Sequence, residues 1–210
     1  AIPLPKDLFA PERANSNGLD LDDAEILQIV ARSVRQPVTG TSAPAKLSDT
    51  GPAIGRAVSA FPAWSAKPVG ERADCLDRLA DLLEQERDTL MAIAVQEAKK
   101  TIADALGEVR EAVDFCRYYA ARARQDLLPV ELPGPTGERN VLRHEGRGVW
   151  IAIAPWNFPL AIFLGQVAAA LVAGNSVIAK PAPQTPLIAS YAVELAHRAG
   201  IAKDALILMP

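Results

Sequence analysis

Apolar residues change their spacing along this chain, and the changes divide it into stretches of different character. To about residue 50, Pro3, Pro5, Pro11, Pro37 and Pro44 interrupt any regular pattern, as expected of a connector. Within it the spacing predicts one amphipathic helix, from about Asp22 to Arg35, with Ile26, Ile29 and Val30 on one face. Asn15-Ser16-Asn17-Gly18 reads as a turn, and Thr39 to Thr50 as a loop. From about Gly51 to Gln125 the period is helical. Ala57, Phe61 and Trp64 mark a helix ending at Lys67-Pro68, and another opens at Val69 with Leu76, Leu79, Leu83 and Leu90 along one face. Glu97 to Lys100 closes the next helix. A long one follows from Ile102 through Arg124, its inner side marked by Ala105, Val109, Ala112, Val113, Cys116 and Tyr119.

Pro129 to Gly148 is turn-rich, with a short exposed strand expected over Asn140 to Glu145. Beyond it the pattern becomes an apolar strand at Gly148–Ala154, a helix at Leu160–Ala173 and a strand at Asn175–Ala179. A helix at Pro186–Ala199 and a strand at Ala205–Met209 complete the series. Alternation of helices with continuously apolar strands predicts a parallel α/β unit. Right-handed crossovers would bring Pro155–Pro159 and Lys180–Thr185 to the carboxyl ends of adjacent strands, the edge where such sheets bind ligands.

Composition narrows the possibilities. Net charge is −3, so a general electrostatic case for nucleic acid or an anionic membrane is missing. No charged residue occurs between Arg147 and Lys180, yet prolines at 155 and 159 and Gly174-Asn175 break that run, which favours buried core over a membrane span. Cys75 and Cys116 form no disulfide framework or metal motif; both are expected to be small buried core residues in a reducing, cytoplasmic setting. His144 and His197 sit in polar runs and read as solvated. The chain opens on Ala-Ile-Pro without Met and stops on Ile207-Leu208-Met209-Pro210, so a piece of a longer polypeptide is expected.

The two inter-element turns carry the candidate chemistry. No GxGxxG follows the first parallel strand. Pro155-Trp156-Asn157-Phe158-Pro159 stands there instead, a turn stiffened by two prolines. The Asn157 amide offers N–H donors at any pH, suiting an oxyanion; capping the helix that follows is an equal alternative on spacing alone. Lys180, at the end of the next strand, suits a ribose or phosphate equally as well as a solvated terminus.

Pro155-Trp-Asn-Phe-Pro-Leu160, Gly174-Asn-Ser-Val-Ile-Ala-Lys-Pro181 and Gln184-Thr-Pro186 resemble the aldehyde dehydrogenase superfamily. Arg117-Tyr118-Tyr119-Ala120 and Gly148-Val-Trp-Ile fit it too. Leu4-Pro5-Lys-Asp-Leu-Phe, Pro11-Glu-Arg and Asn15-Ser-Asn-Gly-Leu-Asp20 resemble the connector before the L-glutamate-γ-semialdehyde (pyrroline-5-carboxylate) dehydrogenase domain of bifunctional proline utilization A enzymes.

The resemblance implies an α/β fold with residues 1–50 as connector and 51–210 as a helical region and the first part of a Rossmann-type NAD-binding domain. It implies NAD-dependent oxidation of a small aldehyde, glutamate semialdehyde being the closest match, with FAD only in a proline dehydrogenase domain outside this chain. Asn157 matches the oxyanion asparagine; Ile153, Pro155 and Trp156 line the cofactor site; Lys180 holds the adenosine ribose; Phe158, and less firmly Glu111, belong to the aldehyde tunnel. The strand region around 138–147 matches a segment used for oligomerisation, a dimer being the expectation. The family's nucleophilic cysteine and general base fall beyond Pro210, so these residues alone are expected to be inactive. Pro183 departs from the pattern, standing where a glutamate usually accepts from the ribose, which points to weaker discrimination between NAD and NADP. A dehydrogenase of another aldehyde, and a non-catalytic nucleotide-binding or oligomerisation module, are the alternatives.

Overall fold

The computed structural model describes residues 2–40 and 42–210. Among the described residues five α-helices come first: α1 (Ala24–Ser33), α2 (Thr50–Ala66), α3 (Val69–Gln85), α4 (Arg87–Ala98) and α5 (Ile102–Asp126). A short antiparallel pair, β1 (Val130–Leu132) and β2 (Asn140–Leu142), separates them from a parallel unit. That unit runs β3 (Val149–Ile153), α6 (Ala161–Val172), β4 (Ser176–Lys180), α7 (Pro186–Arg198) and β5 (Leu206–Leu208), with strands in the order β3-β4-β5. The α/β architecture expected from the strand–helix alternation is therefore present.

Period-two alternation assigns the two sheet faces. Ala152, Val177, Ala179 and Leu206 join the main core with α3, α5, α6 and α7, whereas Ile178 and Ile207 pack on Ala53 and Ala57 of α2. Phe163, Leu76, Leu79, Leu83 and Leu164 are fully buried in the main core. Each such side chain contributes about 1.5–3 kcal/mol over an exposed one.

Several local expectations shift. The Leu76–Leu90 face is broken at Glu86 into α3 and α4, and Ile29 is exposed while Val34 takes its place inside. Asn15-Ser16-Asn17-Gly18 carries no turn. Ser16 is buried, its N–H and hydroxyl donating to Asp114 of α5 at 2.6 and 3.0 Å, and the Asn17 N–H donates to Glu84 at 2.6 Å. Polar residues that favour turns locally are here claimed by carboxylates far away in sequence. His144 is exposed but lies past the end of β2. His197 is half-buried, with Nε2 3.0 Å from the Leu206 carbonyl, so it ties α7 to β5. β3 is apolar yet largely open, with Trp150, Ile151 and Ile153 each more than half exposed. It is an edge strand of the three, and burial follows from neighbours as well as composition.

One buried cation organises the junction of α2, α3 and α6. Arg72 donates to the carbonyls of Val172 (2.9 Å), Ser65 (3.0 Å) and Lys67. Trp64 Nε1 donates to Leu171 at 2.9 Å. Burial pushes the Arg72 pKa down, but three carbonyl oxygens hold the guanidinium in place. Next to it Gly174 (φ 90°) turns the chain from α6 into β4, and its carbonyl lies so close to Gly146 that a Cβ there would sit 2.4 Å away. No side chain fits at 146. Arg72→Met should lower stability by about 2–4 kcal/mol by stranding those carbonyls, read as the urea midpoint of unfolding. A loss below about 0.5 kcal/mol, the size of an ordinary surface substitution, would show that the guanidinium is dispensable for folding.

Candidate active site

Register brings the two predicted turns together. Ile153 pairs with Lys180 at the carboxyl ends of β3 and β4, and the Ala154 N–H donates to the Lys180 carbonyl at 3.0 Å. The turn leaving β3 is anchored by buried residues at both ends, Ala154 before it and Pro159 and Leu160 after it. Between them Trp156, Asn157 and Phe158 are exposed, and Pro155 is half-buried. Two prolines limit φ on either side of the displayed side chains.

The alternative of Asn157 as a helix cap is settled by geometry. The cap position of α6 is Leu160, with no capping side chain of its own. The Leu160 and Ala161 N–H groups donate to Glu108 Oε2, at 3.1 and 2.9 Å. A carboxylate from α5 thus does the capping, and among the described residues the Asn157 amide makes no intramolecular hydrogen bond. Its two N–H donors remain available to a bound group.

Glu108 is a residue that sequence reasoning missed. It is only 2% exposed, and Lys100 Nζ lies 2.9 Å from its other oxygen. The same ammonium sits 4.5 Å from the centre of the Phe158 ring. The signal was present: Glu108 falls three residues after Ala105 and four before Ala112, inside the apolar stripe of α5, where an unpartnered charge would be costly. Glu111 follows one helical turn later on the exposed side. Desolvation, and secondarily repulsion from Glu108, push its carboxyl pKa up, with Lys100 acting in the opposite direction.

Lys180 is exposed at the end of β4, and among the described residues its Nζ reaches only the adjacent Pro181 carbonyl, at 3.2 Å. It borders a cleft of about 350 Å³ walled by Lys46, Leu47, Ile54, Ile151, Ile178 and Met209. The segment before α2 forms one wall, tied down by a 2.9 Å bond from the Ala45 N–H to the Pro210 carbonyl. Pro183 is exposed in the second turn and offers no side-chain acceptor. That turn leads into α7, whose Leu187 and Ile188 N–H groups donate to Glu97 at 2.7 and 3.0 Å, a second carboxylate cap from the helical layer. An exposed ammonium at a strand end beside a largely apolar cleft fits a nucleotide's sugar and base.

Neither cysteine belongs to this edge. Cys75 and Cys116 are buried in α3 and α5, as expected of core residues, and burial pushes the Cys116 thiol up to about 12. A larger polar cavity, about 510 Å³ between Arg13 and the α3–α5 pair, lies elsewhere. Two of its arginines are already matched, Arg117 by Asp81 and Arg124 by Asp74 and Asp77. No described helix is long and apolar enough to cross a membrane.

Residues 22–210 match the family model described as "Aldehyde dehydrogenase family". Over the whole chain the sequence is 40% identical to the bifunctional protein PutA of Klebsiella aerogenes, of which it spans 17%. A crystal structure of a bifunctional proline utilization A (PutA) protein superposes with a TM-score of 0.94 at 52% identity, covering 99% of this chain and 21% of that one. A 1-pyrroline-5-carboxylate dehydrogenase from Thermus, solved with bound NAD, gives a TM-score of 0.84 at 27% identity, covering 91% of this chain and 44% of that one.

Proposed function

Since the chain belongs to the aldehyde dehydrogenase family, we propose that it is part of an NAD-dependent L-glutamate-γ-semialdehyde dehydrogenase within a bifunctional proline-oxidising polypeptide. The observation that carries the chemical part is the unengaged Asn157 amide on a turn pinned by Pro155, Pro159 and the Glu108 cap. Its similarity to PutA proteins and to a pyrroline-5-carboxylate dehydrogenase supports the substrate.

In this reading the reaction begins with addition of a nucleophile to the aldehyde carbonyl, whose oxygen gains negative charge. Asn157 donates an N–H to that oxygen; held in advance, the donor needs no reorganisation as charge develops. Phe158 and Glu111 shape the approach of the aldehyde. Lys180 would hold the adenosine ribose of a bound NAD, with Ile153, Pro155 and Trp156 lining the cofactor site and Pro183 offering that site no side-chain acceptor. NAD, when bound, supplies the hydride acceptor. Cys75 and Cys116 are too deeply buried to attack a substrate, and the family resemblance assigns nucleophile and general base to parts of the polypeptide outside these residues. A flavin belongs only to a proline dehydrogenase region, also outside them. Residues 1–50 serve as connector to the dehydrogenase part from 51 on, and the exposed β1–β2 pair, with Val130, Leu132 and Leu142 near half exposure, is the candidate oligomerisation surface of a dimer.

In the full polypeptide, Asn157→Ala should lower kcat by about 10²–10³ with the KM for NAD nearly unchanged, because the amide acts on charge present only in the transition state. Steady-state kinetics with glutamate semialdehyde check this; near-normal turnover would remove Asn157 from the oxyanion site. Pro183→Glu should sharpen the preference for NAD over NADP by roughly 1–2 kcal/mol through a restored acceptor and repulsion of the 2′-phosphate. The ratio of kcat/KM for the two cofactors measures it, and an unchanged ratio would place ribose recognition on other residues.

A further inference from the structure

We propose that Glu108 is a positioning residue for the Asn157 turn: with Lys100 as its counter-ion, its carboxylate fixes the first amides of α6 and thereby aims the Asn157 donor. This rests on the oxyanion role proposed above for Asn157.

Connectivity carries the argument. Only Phe158 and Pro159 separate Asn157 from Leu160, whose N–H is held by Glu108 Oε2 at 3.1 Å. The same oxygen holds Ala161 at 2.9 Å, so the carboxylate is bound to two successive amides at the positive end of a helix of twelve residues. Its other oxygen meets Lys100 Nζ at 2.9 Å, and Lys100 covers the Phe158 ring at 4.5 Å. One buried charge therefore reaches the chain just after Asn157 at two points: Phe158, its immediate neighbour, through the lysine, and Leu160 directly. The backbone that carries Lys100 is held as well. Its N–H donates to Ala94 across the end of α4, where Lys99 takes a left-handed conformation (φ 58°).

Stability alone is a poor reason for such an arrangement. Burying an ion pair costs about as much as it returns, and apolar replacements of similar volume are often as stable. A local Ser, Thr, Asp or Asn would cap α6 from within its own sequence, and the residue there is Leu160. Supplying the cap from α5 leaves the short side chain in the turn, Asn157, free to face outward. It also references the turn to the rigid helical layer, which fixes a donor to the fraction of an ångström that catalysis requires.

The test uses the full polypeptide, with E108A, E108Q, N157A and the double variant E108A/N157A. E108A should lower kcat about 10–100-fold with the KM for NAD unchanged, the scale seen when groups that orient a catalytic residue are lost. E108Q keeps an acceptor but not the charge, and should show a smaller loss in the same direction. If Glu108 works through Asn157, adding E108A to N157A should cost less than about threefold more, since the donor to be aimed is already gone. A purely structural role predicts either kcat losses that multiply in the double variant or a falling melting temperature with kcat unchanged; either result overturns the proposal. Hydrogen exchange at Leu160 and Ala161 gives a readout independent of turnover: it should accelerate in E108A, less in E108Q, and unchanged exchange would overturn the proposal. A wild-type polypeptide that fails to oxidise the semialdehyde would instead overturn the functional reading, while exchange still reports on the cap. If E108A does not fold, E108Q combined with N157A carries the same cycle.

Discussion

Two carboxylates borrowed from the helical layer hold this structure's parallel unit in place. A helix that follows a parallel strand begins at the sheet edge with its first N–H groups unpaired and a positive dipole pointing toward any ligand there. In α6 those groups bind Glu108 of α5, and in α7 they bind Glu97 of α4. The residues at the starts of α6 and α7 make no side-chain cap. The sheet edge and the helical layer are consequently one mechanical unit, and the turns displaying Asn157 and Pro183 inherit their positions from it.

The opposite end of α6 follows the same logic with the sign reversed. At its C-terminus Arg72 of α3 takes the Val172 carbonyl, and Trp64 of α2 adds a side-chain donor to the Leu171 carbonyl, which also accepts from the Gly174 N–H. α6 is thus gripped by an anion at its positive end and by a buried cation and an indole at its negative end. An almost wholly apolar helix, whose own sequence contains no charged residue, is oriented by charges that belong to its neighbours.

Much of the fold was legible because it is local. Strand–helix alternation, the boundaries at Lys67-Pro68 and Gly174-Asn175, and the meeting of the two turns follow from period and punctuation. The Asn157 turn was legible as a candidate site through its prolines and the motif around it. What escaped depends on partners remote in sequence. Asn157 stood evenly between donor and cap on spacing, and the cap alternative fell only when Glu108 was seen to hold the first amides of α6. Ser16 read as a turn residue because nothing near it announces Asp114, and His197 read as solvated because the Leu206 carbonyl comes to it only in the folded chain. β3 erred the other way: apolar composition implied burial, but a strand is covered only where something packs on it. Glu108 alone left a readable trace, a charge inside an apolar stripe.

The bond between the Ala45 N–H and the Pro210 carbonyl has an entropic side. It closes a loop containing most of the chain, and the entropy of closure cannot be recovered until the sheet that carries the far end exists. The wall of the Lys180 cleft formed by Lys46 and Leu47 is therefore held by a contact that exists only when the strand end after β5 is in place, so order in this wall presupposes order in the sheet.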